Sequence, residues 1–392
     1  MVELQRTLLQ EVQQSAQYYP VVTLLGPRQS GKTTLVQIAF SHKPYVSLED
    51  PDVRNFAAED PRRFLKQYPQ GAIFDEIQRV PELLSYLQGI VDAQKQVGLF
   101  ILTGSYQLSL HAKISQSLAG RTAILHLLPL SLAELQQHGL QHSLDEQLFY
   151  GFYPRIYKDD MEPQRFYRDY VQTYIERDVK LIINIRELDQ FQRFLTLCAA
   201  RVGQLIDYTS FSNDLGVSRH TIKEWMSVLK ASFIITAVPP YFENLGKRVI
   251  KSSKLYFNDV GLVCYLLGIR SVEQVANHPL RGNLFENLVM NEAAKYHWNK
   301  GGIANLYFYR DSNQLEVDLV FQKRSKLIAI EIKSAGTFNK EFLKGLSAFK
   351  TIASQHAVQG YVVYNGIHEQ KVHEFQIVNY VNFTGVLDAL LD

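Results

Sequence analysis

The chain has 392 residues, 46% hydrophobic and 20% charged, enough to bury several cores and to divide into roughly two to four domains. A formal net charge of +2 excludes a protein that coats nucleic acid by bulk charge, so any such contact must rest on local patches. Only two cysteines, Cys198 and Cys264, are present, which excludes a disulfide scaffold and a cysteine-rich zinc site and suits buried fillers in a reducing cytosol.

Residues 1–20 predict an amphipathic helix, and from there to about residue 130 short apolar runs alternate with helical patterns. That alternation predicts a parallel α/β sheet, with strands at 21–25, 44–48, 72–75, 99–103 and 124–128. At Ser131 a helix begins, with Glu134 three residues later completing a capping box, and a mostly helical stretch runs to about residue 200. A helix, a turn at Gly216 and a second helix over 218–230 follow, then an extended segment with a turn at 243–246, the pattern of a winged helix-turn-helix. Further on, a helix at 284–296 precedes strands at 306–309, 316–321 and 327–332. The start of the chain has no basic segment leading into an apolar one, and no run approaches about 18 apolar residues, so a cytoplasmic protein without a membrane partner is expected.

The strongest chemical signal is Gly26, Pro27, Arg28, Gln29, Ser30, Gly31, Lys32 and Thr33, with Thr34 next, which follows a predicted strand and opens a predicted helix. Glycines let backbone N–H groups close on phosphate at a helix N-terminus, Lys32 balances the β and γ phosphates, and the Thr33 hydroxyl ligates magnesium. Asp75 and Glu76 end an apolar strand, where Asp75 suits the magnesium shell and Glu76 suits orienting an attacking water. Thr103 ends another strand and is the expected γ-phosphate sensor. ATP and magnesium are the expected cofactors. Hydrolysis of this type adds a cation, often from a neighbouring subunit, for which Arg121 and Arg177 are candidates and which makes a homo-oligomer an expected assembly.

These motifs, with Leu-Ala-Gly-Arg before Leu-Pro-Leu-Ser and Lys-Leu-Tyr-Phe-Asn-Asp at 254–259, resemble a family of bacterial and archaeal AAA ATPases that carry a C-terminal domain of unknown function. The resemblance spans nearly the whole chain and implies an α/β architecture in four parts. These are an AAA-type P-loop domain (1–135), a helical linker (136–203), a winged-helix segment (204–260) and a restriction-endonuclease-like α/β domain (261–392).

In the last part, Glu316 and Asp318 share one strand face, as do Glu331 and Lys333. If the two strands pair, Asp318, Glu331 and Lys333 converge in the arrangement of PD-(D/E)XK nucleases, with Glu286 on an upstream helix completing a metal set of Glu286, Asp318 and Glu331. The proline that often precedes the first aspartate there is replaced by Val317. Arg219, His220 and Lys223 at a helix start, with Lys247, Arg248, Lys251 and Lys254, form the expected nucleic-acid contacts, to DNA rather than RNA. Two readings follow: an ATPase that controls a metal-dependent nuclease domain, or an ATP-dependent switch whose C-terminal domain binds DNA or protein without cleaving. A small-molecule kinase would leave the C-terminal half without a role.

Overall fold

The computed structural model describes residues 4–105, 114, 116–175, 188–241 and 251–391. Arg177, Lys247, Arg248 and the expected turn at 243–246 lie outside the described residues.

Five strands, β1 (Val21–Leu25), β2 (Tyr45–Ser47), β3 (Ala72–Asp75), β4 (Phe100–Gly104) and β5 (Thr122–His126), form a parallel sheet in the order β2-β3-β4-β1-β5. Residues of β1 and β4 are buried throughout, as expected of apolar strands covered on both faces. One face packs on α1 (Leu9–Ser15) and α2 (Lys32–Ala39) through Leu8, Val12, Leu35 and Val36. The other packs on α3 (Pro51–Glu59), α4 (Pro61–Leu65) and α5 (Leu83–Gln94) through Phe64, Leu84 and Leu87. Because β4 lies between β1 and β3, the loop after β1 and the acids after β3 flank the end of β4. The topology therefore brings the three nucleotide motifs to one edge of the sheet.

The expected helix over 1–20 is corrected to Leu9–Ser15. Arg6 is buried and both its side chain and the Thr7 N–H are committed to Glu134, which anchors the chain ahead of the helix.

Short helices α6 (Leu132–Gln137), α7 (Leu144–Tyr150), α8 (Pro154–Lys158) and α9 (Pro163–Tyr170) lead to α10 (Leu188–Ala200). Ser131 and Glu134 form the reciprocal capping box that starts α6. Next come α11 (Tyr208–Leu215), closed by Gly216 at φ 66°, and α12 (Arg219–Ala231), capped by Ser218. An antiparallel pair, β6 (Ile235–Val238) with β7 (Lys254–Phe257), then α13 (Val260–Leu266) and α14 (Val272–Ala276) precede the long α15 (Arg281–Asn299).

A second, mixed sheet follows: β8 (Tyr307–Arg310), β9 (Glu316–Lys323), β10 (Lys326–Lys333), β11 (Ala357–Tyr364), β12 (Gln370–Val372) and β13 (Phe375–Asn379). Its order is β12-β13-β11-β10-β9-β8, flanked by α16 (Lys344–Ile352) and α17 (Phe383–Leu391). Strands β9 and β10 pair antiparallel and place Ile330 opposite Leu319, which carries Glu331 toward Asp318. A single apolar core links Leu130, Tyr167, Trp225, Phe257, Leu284 and Ile330, so linker, β6–β7 pair and one face of the second sheet share their packing. Both cysteines are free and buried.

Candidate functional site

The loop after β1 passes so close to the β5 exit that a Cβ on Gly26 would lie 2.1 Å from the Leu127 carbonyl oxygen. Gly31 takes φ 92° to cap α2, and the first-turn N–H groups of that helix need partners from outside it. Lys32 is buried and its ammonium donates to the carbonyls of Gly26 (3.1 Å) and Pro27 (2.8 Å), so its charge sits inside the loop. Ser30 Oγ is fully buried and has no hydrogen-bond partner among the described residues, an unmet polar atom within the loop. Arg28 lies 3.8 Å from Glu49. Thr34 and Gly31 line a cavity of 310 Å³ beside the loop, with Leu4, Gln5, Arg6 and Leu9.

The acids at the end of β3 meet the loop. Thr33 Oγ1 donates to Asp75 Oδ2 over 2.9 Å, so a hydroxyl and a carboxylate converge as hard oxygen donors that fit magnesium. Thr103 donates its hydroxyl to the other Asp75 oxygen and accepts from the Glu76 N–H at 3.4 Å. Thr103 therefore joins the acid pair directly. Glu76 holds a left-handed backbone at φ 58°, a conformation costing about 1–3 kcal/mol outside glycine, and its carboxylate accepts from the Gln78 amide, which also donates to Ser105 Oγ at 2.9 Å.

The sequence reading missed Tyr45, which donates to Asp75 Oδ2 at 2.6 Å. Burial and that bond push its hydroxyl well above the usual range, keeping it a donor. It also missed Arg6 on the loop. Neither carries a local motif, since each reaches the site from a separate segment of chain.

Arg121 lies away from the loop. It precedes β5 at the amino ends of the strands, whereas the phosphate loop leaves their carboxyl ends. There it forms a two-pronged pair with Asp92, at 2.6 and 2.9 Å. It does not act on this chain's own loop.

In the C-terminal half, Asp318, Glu331, Lys333 and Glu286 do come together, but around a cation not assigned to them from sequence. Lys254 is 2% exposed, with its ammonium 2.8 Å from Glu286, 2.5 Å from Glu316 and 3.9 Å from Asp318. Burial pulls its pKa down, and the three carboxylates outweigh that and raise it. Lys333 lies 2.6 Å from Glu331 and 3.6 Å from Asp318. Asp318 also accepts from the Ile332 N–H, and Tyr256 donates to Glu286. Burial, then the charge of Asp318, pushes Glu331 up to about 8, and burial raises Glu286 as well.

Among the described residues no three His, Cys, Asp or Glu side chains are arranged to hold a metal ion. Of the expected metal set, Glu286 and Asp318 stand beside the Lys254 ammonium, and Glu331 stands beside Lys333. Lys254 is corrected from a phosphate contact to a buried counter-ion. Arg219, His220, Lys223 and Lys251 are exposed, with His220 3.4 Å from Glu224 and Lys223 over the Tyr208 ring. An open cleft of 1030 Å³ rimmed by Lys323, Arg324, Lys326 and Lys371 lies at the far ends of β9 and β10 from the acids and shares no residue with them. No described helix is long and apolar enough to cross a membrane.

Residues 18–136 match the AAA domain family, which makes the N-terminal unit an AAA-type P-loop domain. Residues 141–273 and 281–383 each match a domain of unknown function, DUF8612 and DUF4143. Uncharacterized proteins of Mycobacterium bovis and Mycobacterium tuberculosis are each 29% identical over 324 residues, covering 81% of this chain and 71% of theirs. Among solved structures, a Walker-type ATPase of Pyrococcus abyssi aligns at 14% identity and TM-score 0.40, over 66% of this chain and 94% of that one. AMPPCP-bound DnaA from Aquifex aeolicus aligns at 10% identity and TM-score 0.28, over 57% and 85%.

Proposed function

We propose that this chain is an ATP-hydrolysing switch, in which the AAA-type domain binds magnesium and ATP and its nucleotide state controls the C-terminal α/β domain. The observation that carries the reading is the convergence of Lys32, Thr33, Asp75, Thr103 and Glu76 from three elements onto one sheet edge, beside the unpartnered Ser30 hydroxyl. Lys32 and the first-turn N–H groups of α2 hold phosphate oxygens, and the adjacent cavity by Thr34 receives the nucleoside. Thr33 and Asp75 would hold magnesium, which supplies charge neutralisation at the transferred phosphoryl group. Glu76 orients the attacking water, its carboxylate held by the Gln78 amide, which Ser105 in turn anchors. Thr103 links the Asp75 carboxylate to the Glu76 backbone, the position from which a sensor of the γ-phosphate would report. A fluorescent ATP analogue should bind the parent and lose at least about tenfold in affinity in Lys32→Ala, roughly the worth of one charge-assisted contact. Equal binding by both proteins removes the assignment.

A second reading, cleavage of DNA by the C-terminal domain, is favoured by the meeting of Asp318, Glu331 and Lys333. In the arrangement described, Lys254 pairs with Glu286 and lies 3.9 Å from Asp318, two of the three acids that would hold the metal, which favours the switch with a non-cleaving domain. Magnesium- or manganese-dependent nicking of supercoiled plasmid by the parent, lost in Asp318→Ala, would reverse that order.

A further inference from the structure

Arg6 is 6% exposed and uses its guanidinium on three sides. Nη1 donates to the Ser30 carbonyl of the phosphate loop (2.7 Å), Nη2 to the Leu128 carbonyl (2.7 Å), and Nε to Glu134 (3.0 Å). Glu134 in turn accepts from the N–H groups of Thr7 and Ser131, at 2.7 and 2.8 Å. The segment after β5 is held equally firmly from the other side. Lys295 of α15 donates to the Leu130 carbonyl (2.7 Å), and Glu292 accepts from the Leu132 N–H (2.8 Å) while pairing with Lys295 at 2.9 Å. Both ion pairs are buried, so each holds its geometry tightly: a charge displaced from its partner there has no water to replace it.

From Glu292, α15 continues to the acid cluster. Asn287 and Asn291 grip both sides of the Phe257 peptide in β7, at 2.7 to 2.9 Å, and Glu286 reaches Lys254 at the start of the same strand. Glu292 and Glu286 lie six positions apart on the helix, about 9 Å of rigid rod.

We propose that Arg6 is a positioning residue of the phosphate loop, and that the 128–134 segment, clamped between Arg6 and the Glu292–Lys295 pair, couples nucleotide occupancy to α15 and the Lys254 cluster. Phosphate bound by the loop would bear on the Ser30 carbonyl that Arg6 holds. That load passes to 128–134 and from there to α15. The inference rests on ATP binding at the loop and names the route by which that binding is felt elsewhere. A continuous set of contacts is only a route; coupling needs its own measurement.

Amide hydrogen exchange on the full chain, with and without magnesium and the slowly hydrolysed analogue ATPγS, supplies it. In the parent, nucleotide slows exchange in residues 26–34 and changes exchange in 281–299 by about fivefold or more, the lower end of ordinary couplings. In Glu292→Gln, 26–34 remain protected and the nucleotide-dependent change in 281–299 is lost. A purely structural role for Glu292 would loosen α15 equally with and without nucleotide and leave the difference intact. Arg6→Lys, which keeps the charge facing Glu134, weakens ATPγS binding about tenfold through loss of a charged hydrogen bond on the loop. Protection at 26–34 with no change in 281–299, a difference retained in Glu292→Gln, or unaltered affinity in Arg6→Lys overturns the coupling. No protection at 26–34 in the parent instead overturns the nucleotide reading beneath it.

Discussion

Replacing Lys254 by methionine keeps the length of the stem but removes the charge that three acids share. In the parent the ammonium is 2% exposed, with Glu286 and Glu316 within direct ion-pair distance and Asp318 at 3.9 Å. Breaking a buried pair by removing one partner costs about 3–5 kcal/mol, because the remaining charge is left uncompensated. Lys254→Met should lower unfolding free energy by about that amount at pH 8. The folded pKa of Lys254 is raised, so its contribution is fully present below the unfolded lysine value and is lost only as pH rises through the folded one. Between pH 5.5 and 8 the lysine therefore stays charged, and any pH dependence of the loss comes from the acids. Burial already raises the Glu286 carboxyl, and without Lys254 it accepts a proton more readily, relieving up to about 1.4 kcal/mol per pH unit as pH falls. Urea unfolding of parent and variant at pH 5.5, 7 and 8 measures both effects. A loss below about 1 kcal/mol that is flat across this range would refute the reading of Lys254 as a buried counter-ion.

At Glu134, burial pushes the carboxyl up, and the charge of Arg6 with the N–H groups of Ser131 and Thr7 outweighs it, leaving the pKa below the usual range. Its stabilisation is thus present above the unfolded carboxylate value and lost as pH falls through the lowered one; Glu134→Gln should flatten the acid limb of a stability-versus-pH curve while lowering its plateau. Gly26→Ala would drive a methyl group to 2.1 Å from the Leu127 carbonyl, so the loop or the β5 exit must shift. A melting measurement should show a loss of about 1–3 kcal/mol, and a titration with ATP should show weaker binding.

Much of the nucleotide site was legible because its signals are local. Gly26 to Thr33 combine spacing with glycines that the close approach to Leu127 requires, and Asp75 ends an apolar run whose strand the fold reproduces at Ala72–Asp75. The capping box at Ser131 was readable for the same reason: both partners lie within one turn. What escaped was long-range. Arg6 meets Ser30 and Glu134 across 24 and 128 positions, and Lys254 meets Glu286 across 32, distances over which periodicity carries no information. Lys254 also misled by type, since a lysine in a polar hairpin reads as solvated until the fold buries it among acids. The place of Arg121 could not be read from its proximity in sequence to β5, because only the direction of the strands reveals which end of the sheet it occupies.

The central claim, that this sheet edge hydrolyses ATP with Glu76 orienting the water, is tested most directly by nucleotide turnover in Glu76→Gln. The amide keeps the size of the side chain and removes its basicity, so the variant should bind ATP as the parent does while phosphate release falls by about 100-fold or more. Turnover that survives unchanged in Glu76→Gln would contradict the assignment.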